Sequence, residues 1–237
     1  MEIRFHGHSC VQLSEGGHKV LVDPFLKPNN PAAILTADEV DAPSHVLLTH
    51  GHADHSADIV AVARRTGAHC IALSEVAKWL AGQGLEASDP NIGGTVETDW
   101  GWVKLVQAFH TNTIPGTGDD PFSPEGGIVV GPPAGMVINI GGKSVYHLGD
   151  TGLFSDLKLI AERTPVDVAL IPIGGHYTMD RHDAAVAAAF VGAGTVIPIH
   201  YNTFPAIEAD AEAFKSDVES ATSSKVVVLE PGETHEA

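Results

Sequence analysis

Short apolar runs bounded by glycine, proline or charged residues recur along the whole chain, and most are too short to be helices. Ile3 to Phe5, Cys10 to Leu13 and Lys19 to Val22 are predicted strands, with Glu15-Gly16-Gly17 turning the second into the third. Val46-Leu47-Leu48-Thr49 is continuously apolar up to its final threonine, the pattern of a strand buried on both faces. A helix follows in which Ile59, Val60, Val62 and Ala63 form an apolar face and Gly67 is the stop. Residues 68–73 predict a further strand, and Glu75 to Gln83 a helix ending at Gly84. The second half predicts strands near 101–109, 127–131, 135–140 and 143–148. Helices near 155–163, 181–191 and 207–221 then alternate with strands at 167–172, 195–199 and 225–229. Strand meanders followed by helices fit an α/β architecture, two sheets face to face with helices outside.

Length and charge narrow the class. With 237 residues and 43% hydrophobic content the chain can bury a sizeable core, and α/β chains of this size commonly stay undivided, so residues 1–237 are expected to form a single domain. Thirteen basic against 30 acidic residues give a net charge of −17, which opposes binding to a nucleic-acid backbone and leaves a small molecule as the expected partner. Cys10 and Cys70 form no CxxC pair and no disulfide framework, which fits a reducing cytoplasm, and Cys10 is expected in the core of the first hairpin. The first residues, Met1-Glu2-Ile3-Arg4-Phe5-His6, lack the pattern of an export signal, and no apolar run approaches the roughly 18 residues of a membrane span. The expectation is a cytoplasmic protein without a membrane partner; a homo-oligomer stays open.

His50-Gly51-His52-Ala53-Asp54-His55 carries the chemistry. Three imidazoles and a carboxylate within six residues, directly after a buried strand, are good ligands for zinc-like cations. With the strand ending near Thr49 and a helix beginning near Ser56, His50 and His52 project from an irregular turn towards one ion, and Asp54 and His55 face a neighbouring one. Further along, His110 follows Val103 to Phe109, Asp150 closes Ser144 to Gly149, and His200 closes Thr195 to Ile199. Ligands gathered at the ends of several strands are how a sheet scaffold builds a rigid site from distant residues.

HGHADH, a lone histidine, GDTG and a final Ile-His resemble the metallo-β-lactamase superfamily of metal-dependent hydrolases. Phe5-His6-Gly7-His8-Ser9, Leu21 to Phe25, Tyr146 to Gly152 and Ile197 to Pro205 resemble its UPF0173-type branch, which contains ascorbate-6-phosphate lactonase-like proteins; the likeness runs over nearly the whole chain. The resemblance implies the four-layer αββα sandwich. It also implies one metal held by His50, His52 and His110, a second held by Asp54, His55 and His200, and Asp150 bridging them. Asp23 resembles the family's buried carboxylate that orients a ligating histidine. His8 lies in a loop that the family places near the metals and is the expected substrate contact.

Two divalent cations about 3.5–4 Å apart lower the pKa of a shared water from 15.7 towards about 7, supplying hydroxide at neutral pH, while Asp54 is placed to orient it or shuttle its proton. Flavodiiron relatives typically carry glutamate where this chain has His52, and imidazole-rich coordination points to zinc, with manganese, iron or nickel as the other candidates. The expected activity is hydrolysis of a small ester, lactone, amide or phosphoester at a dinuclear site. A metal-dependent binding or sensing protein without turnover, and a phosphodiesterase or nuclease, are the alternatives.

Other residues divide between chemistry and structure. His176 sits at a pocket edge, in Gly174 to Asp180, and is open between a substrate contact that sets specificity, an auxiliary proton donor and an incidental loop residue. Asp180 is a predicted helix N-cap, with Asp183 three positions on. Asn202 divides between substrate and turn. His6 and His147 are expected to be structural, His182 exposed, and His18, His45, His69 and His235 structural or incidental. Thr111 to Gly127, rich in proline and glycine, is an expected loop beside the metals, with Asp119-Asp120 at a solvated tip.

Overall fold

A computed structural model of the chain describes residues 1–114 and 127–237. Within the first half lie β1 (Glu2–Gly7), β2 (Cys10–Glu15), β3 (His18–Val22), β4 (His45–Leu48), β5 (His69–Ala72) and β6 (Ala87–Ser88), with helices α1 (Ala53–Ser56), α2 (Ile59–Thr66) and α3 (Ser74–Gly82). Then come β7 (Thr95–Thr98), β8 (Gly101–Gln107), β9 (Thr113–Ile114), β10 (Ile128–Val129), β11 (Ala134–Ile140), β12 (Lys143–His147), β13 (Val168–Pro172), β14 (Thr195–Ile199), β15 (Lys225–Val226) and β16 (Thr234–Glu236). Helices α4 (Leu157–Arg163), α5 (Arg181–Val191) and α6 (Ala211–Ala221) complete that half. One sheet runs β16-β1-β2-β3-β4-β5-β6, the other β15-β14-β13-β12-β11-β8-β7, and β9 and β10 form a separate ribbon.

Side-chain alternation assigns every layer. Ile3, Phe5, Val11, Leu13, Val20, Val22, Leu47 and Ile71 of the first sheet pack with Val103, Leu105, Met136, Ile138, Val145, Leu170, Ile197 and Ile199 of the second. Their neighbours Cys10, Leu21, Val46, Leu48 and Cys70 face outward, where Ile59 and Val62 of α2 and Val76 and Leu80 of α3 cover them. On the far side, Val137, Tyr146, Ala169, Ile171 and Val196 are covered by Leu157 of α4, Ala184 and Ala188 of α5, and Phe214 and Val218 of α6. The result is the αββα order. Strand β13, and β4 after His45, are apolar because helices and the opposite sheet bury both their faces. Each large aliphatic side chain so buried contributes about 1.5–3 kcal/mol, so the three apolar layers are what hold the sheets in place.

The helix ends follow their sequence signals. Asp180 accepts hydrogen bonds from the amides of His182 and Asp183, both 2.9 Å, and Gly67 ends α2 in the left-handed conformation. Several boundaries differ from expectation. The strand expected at 127–131 is the two-residue β10, paired with β9 and exposed, rather than a member of a large sheet. The last helix starts at Ala211, because Pro205–Ile207 forms a 3₁₀ turn and Asp210 caps α6 through Ala213. Strand pairing beyond Val226 stops short of the expected 225–229. Most of the expected loop 111–127, Asp119-Asp120 included, lies outside the described residues.

Candidate metal centre

Six strands, β1, β3 and β4 in one sheet and β8, β12 and β14 in the other, run in a common sense within their sheets. Their C-terminal ends share one edge of the sandwich. His8 follows β1, Asp23 follows β3, His50 lies two residues past β4, His110 and Asp150 three past β8 and β12, and His200 directly past β14. The fold thus gathers His8, Asp23, His50, His52, Asp54, His55, His110, Asp150 and His200 from across the sequence. The helix begins at Ala53 rather than near Ser56, so Asp54 and His55 are presented by the short α1 and only His50 and His52 by irregular chain.

Among the described residues, donor atoms meet in three groups. His50, His52 and His110 form one, His8, Asp54, His55 and His200 a second, and His50, His55 and Asp150 a third; within each group the donor atoms all lie within 4.8 Å of one another. Asp150 sits in the middle. Its Oδ2 is 3.0 Å from His200 Nε2, 3.6 Å from His110 Nε2 and 3.8 Å from His50 Nε2, while its Oδ1 is 3.3 Å from His55 Nε2.

Behind these groups one buried carboxylate sets the orientation of two histidines. Asp23 accepts from Thr49 N at 2.8 Å, from Thr49 Oγ1 at 2.7 Å and from His55 Nδ1 at 2.7 Å. Because the Thr49 hydroxyl spends its proton on Asp23, its lone pair takes the proton of His50 Nδ1, 3.0 Å away. Both imidazoles therefore carry a proton on Nδ1, which leaves Nε2 turned inward as the atom a metal would take. His147 is held as the opposite tautomer, for a structural purpose. Its Nε2 donates to Ser9 O at 3.0 Å and its Nδ1 accepts from Gly149 N at 3.1 Å, tying the Asp150 turn to the His8 turn.

The backbone is also committed. Outside glycine, the positive φ values among the described residues fall on His8, Asp23, His200 and Asn202, all at this edge. Non-glycine residues enter that region at a cost, and they concentrate at functional sites. Gly51, between two ligand candidates, could not be alanine without crowding: a Cβ there would lie 2.8 Å from Ile114 Cγ1 and 2.9 Å from Thr113 O.

Charge completes the description. Burial opposes ionisation of Asp150, yet His200 and His55 hold its carboxyl well below the usual range; Asp54 is likewise held low, against burial, by the adjoining His200 and His8 rings. Burial also opposes charge on His200, but Asp150 pushes its pKa up to about 9; His55 is raised well above its ordinary value by Asp150 and Asp23, again against burial. His50, buried and beside His55, is driven the other way. The carboxylates demand positive charge between them. Among the described residues, His55 Nε2, Asp150 Oδ1 and both ring nitrogens of His200 are buried and make no well-aligned hydrogen bond, so a neutral dry cluster would be costly. Divalent cations fit this donor set.

Comparison with known proteins gives the family. Residues 18–201 match the profile of the "Beta-lactamase superfamily domain". A UPF0173 metal-dependent hydrolase of Shouchella clausii is 45% identical over all of both chains. This chain belongs to the UPF0173 metal-dependent hydrolases of the β-lactamase superfamily. A second member, from Natranaerobius thermophilus, is 42% identical, covering all of this chain and 99% of that one. Igni18, described as a novel metallo hydrolase from Ignicoccus hospitalis, superposes with a TM-score of 0.86 at 37% identity over 100% of this chain and 98% of the other. The αββα metallo-β-lactamase sandwich and the class of metal-dependent hydrolase, hence an enzyme, follow.

Thr49, Thr203 and Asn112 are site residues that sequence reasoning missed. Thr49 was legible only as the end of an apolar run, and Thr203 lies within the quoted Ile197 to Pro205 segment without a ligand's chemistry. Asn112 Oδ1 accepts from Gly51 N at 2.8 Å and its Nδ2 donates to Pro132 O at 3.0 Å, bracing the histidine turn. His176 stands apart. It is exposed after β13, at the same edge, with its ring 4.5 Å from that of Tyr177, and no hydrogen bond joins it to the cluster among the described residues. Asn202 takes the turn role, its Oδ1 accepting from Ala209 N at 2.8 Å. His182 is exposed, as expected.

Proposed function

We propose that this chain is a dinuclear hydrolase of a small ester, lactone, amide or phosphoester. The observation that carries the reading is the buried Asp150 carboxylate, whose Oδ2 lies 3.0–3.8 Å from His200, His110 and His50 and whose Oδ1 lies 3.3 Å from His55, so that one side chain reaches both histidine groups. One ion would be held by His50, His52 and His110 and the other by Asp54, His55 and His200, with Asp150 shared. Zinc suits such imidazole-rich donors, and manganese, iron or nickel are the other candidates. Bound there, the ions supply an acidified water as nucleophile and polarise the oxygen of the scissile group.

The chain's own residues do the rest. Asp23 and Thr49 keep lone pairs of His50 and His55 facing the centre through turnover. Asp54, whose side chain is 20% exposed where its histidine neighbours are buried, is the carboxylate with access to both water and substrate. It orients the attacking water, takes its proton and passes it to the leaving group. Phe109, more than half exposed and next in sequence to His110, meets Phe154 edge-on at 5.0 Å, and this apolar pair is proposed to receive an acyl group. His176 and Tyr177, at the same edge, are the residues proposed to select among substrates.

The test is a turnover screen over lactones, thioesters, amides and phosphodiesters with metal-loaded wild type and Asp54→Ala. Wild-type hydrolysis of one bond class that falls at least about 100-fold in the variant supports the assignment, since general acid–base catalysis contributes about 10²–10⁴-fold. Equal turnover by the two proteins removes Asp54 from the reaction.

A further inference from the structure

We infer that His8 is a protein ligand of the ion held by Asp54, His55 and His200, an inference that rests on the dinuclear reading above. Its surroundings do not suit a substrate contact. The ring is fully buried, packed edge-on against Phe25 and Phe204 at 5.5 and 5.8 Å and tilted against His200 at 4.1 Å. His8 shares with Asp54, His55 and His200 a volume in which all four donor atoms lie within 4.8 Å of one another.

One tautomer of His8 presents a free nitrogen to the ion. His8 Nδ1 is 2.9 Å from Thr203 Oγ1, and the Thr203 hydroxyl has its own acceptor in Tyr201 O at 3.4 Å. With the hydroxyl proton directed to that carbonyl, a Thr203 lone pair receives the proton of His8 Nδ1, the same arrangement by which Thr49 holds His50. His8 Nε2 is then a bare lone pair 3.2 Å from Asp54 Oδ2. Two acceptors facing each other in a buried site repel unless a cation lies between them. His8 is also locked in place by its backbone. It sits at φ +59° in the turn between β1 and β2, and its carbonyl accepts from His200 N at 2.7 Å, so two members of the group are fastened to each other.

The consequence is an unequal pair of sites. One ion has His50, His52, His110 and the shared Asp150, four protein donors. The other has His8, Asp54, His55, His200 and Asp150, five. A fuller shell of mixed nitrogen and oxygen donors suits cations of higher coordination number better than a tetrahedral zinc site does.

The experiment titrates the full-length apo protein with cobalt(II), following visible absorption and heat, in wild type, His8→Gln and Thr203→Val. Wild type takes up two ions. His8→Gln, which removes the imidazole lone pair but leaves a polar amide in its place, retains one ion and weakens the other by more than the about 100-fold upper cost of losing an outer hydrogen-bond partner; Thr203→Val weakens it by about 10–100-fold. Two-ion binding by His8→Gln with wild-type affinity and spectrum overturns the ligand assignment and leaves the dinuclear centre standing. No uptake by wild type overturns the metal reading beneath it. Should a variant fail to fold, a crystal structure of the cobalt-loaded wild type decides: His8 Nε2 at a bonding distance of about 2.0–2.2 Å supports the assignment, and a nitrogen well outside bonding distance of either ion overturns it.

Discussion

Asp23→Asn is the substitution for which the hydrogen-bond network makes the sharpest statement. Asp23 is fully buried and makes its three bonds at 2.7–2.8 Å with oxygens that only accept. Asparagine has the same shape but one acceptor and one donor. If its amide nitrogen takes the place of Oδ2, it faces His55 Nδ1, which must surrender its proton; that proton then sits on Nε2, on the side where a lone pair has to meet the metal. If the amide turns over, its N–H groups meet the Thr49 backbone N–H, donor against donor. Neither orientation satisfies all partners. Losing an outer partner of a metal-bound histidine typically costs 10–100-fold in affinity, about 1.4–2.8 kcal/mol. The effect reaches His50 too, since Thr49 holds that ring only while its own proton goes to Asp23. In the apo protein one unpaired buried donor costs about 1–3 kcal/mol. Zinc competition against a chromophoric chelator, on protein shown by circular dichroism to be folded, reads the affinities, and urea unfolding reads the apo stability. Wild-type zinc affinity at both sites would refute the tautomer argument.

Three further predictions follow from other parts of the molecule. Stripping the metal should lower the melting temperature: at a free metal concentration about 1,000 times Kd, one bound ion stabilises by about 4 kcal/mol, which for a chain of this size is roughly 8–16 °C in calorimetry with and without chelator. His45 accepts from Trp100 Nε1 at 3.0 Å, and burial together with His69 lowers its pKa below 6.5. The unfolded chain therefore binds the proton more readily, and this contribution to stability is full above pH 6.5 and lost as pH falls through the folded value. His45→Gln should flatten that part of the urea-stability profile, and a profile unchanged from wild type would remove His45 as its source. His176→Ala should change the relative rates across a substrate panel with metal content unaltered, and an unaltered panel would remove His176 from substrate selection.

The proposed ligand turn was legible because HGHADH is contiguous and its chemistry needs no fold to be read. His110, Asp150 and His200 were legible because each closes an apolar run, and a sheet places run ends together. The layers followed from strand and helix periodicity, with the αββα order supplied by the family resemblance. Edge strands were harder. Thr95–Thr98 is half exposed along its length, and Thr234–Glu236 is defined by pairing with Glu2 to Arg4 at the far end of the chain, so neither carries a strong apolar pattern of its own. The start of α1 was missed for a different reason. His52 precedes it without a side-chain cap, and its four residues Ala-Asp-His-Ser have no apolar face, so neither usual signal of a helix start is present. Thr49 and Thr203 act through one hydroxyl each on a histidine distant in role or in sequence, and only coordinates bring such partners together.

Elemental analysis of the purified, reconstituted protein tests the central claim most directly. The account predicts two divalent ions per chain in wild type and fewer in Asp150→Asn, because the carboxylate that faces both histidine groups is altered. A wild-type chain that binds no metal after reconstitution, or an Asp150→Asn chain that retains two ions with wild-type affinity, would contradict it.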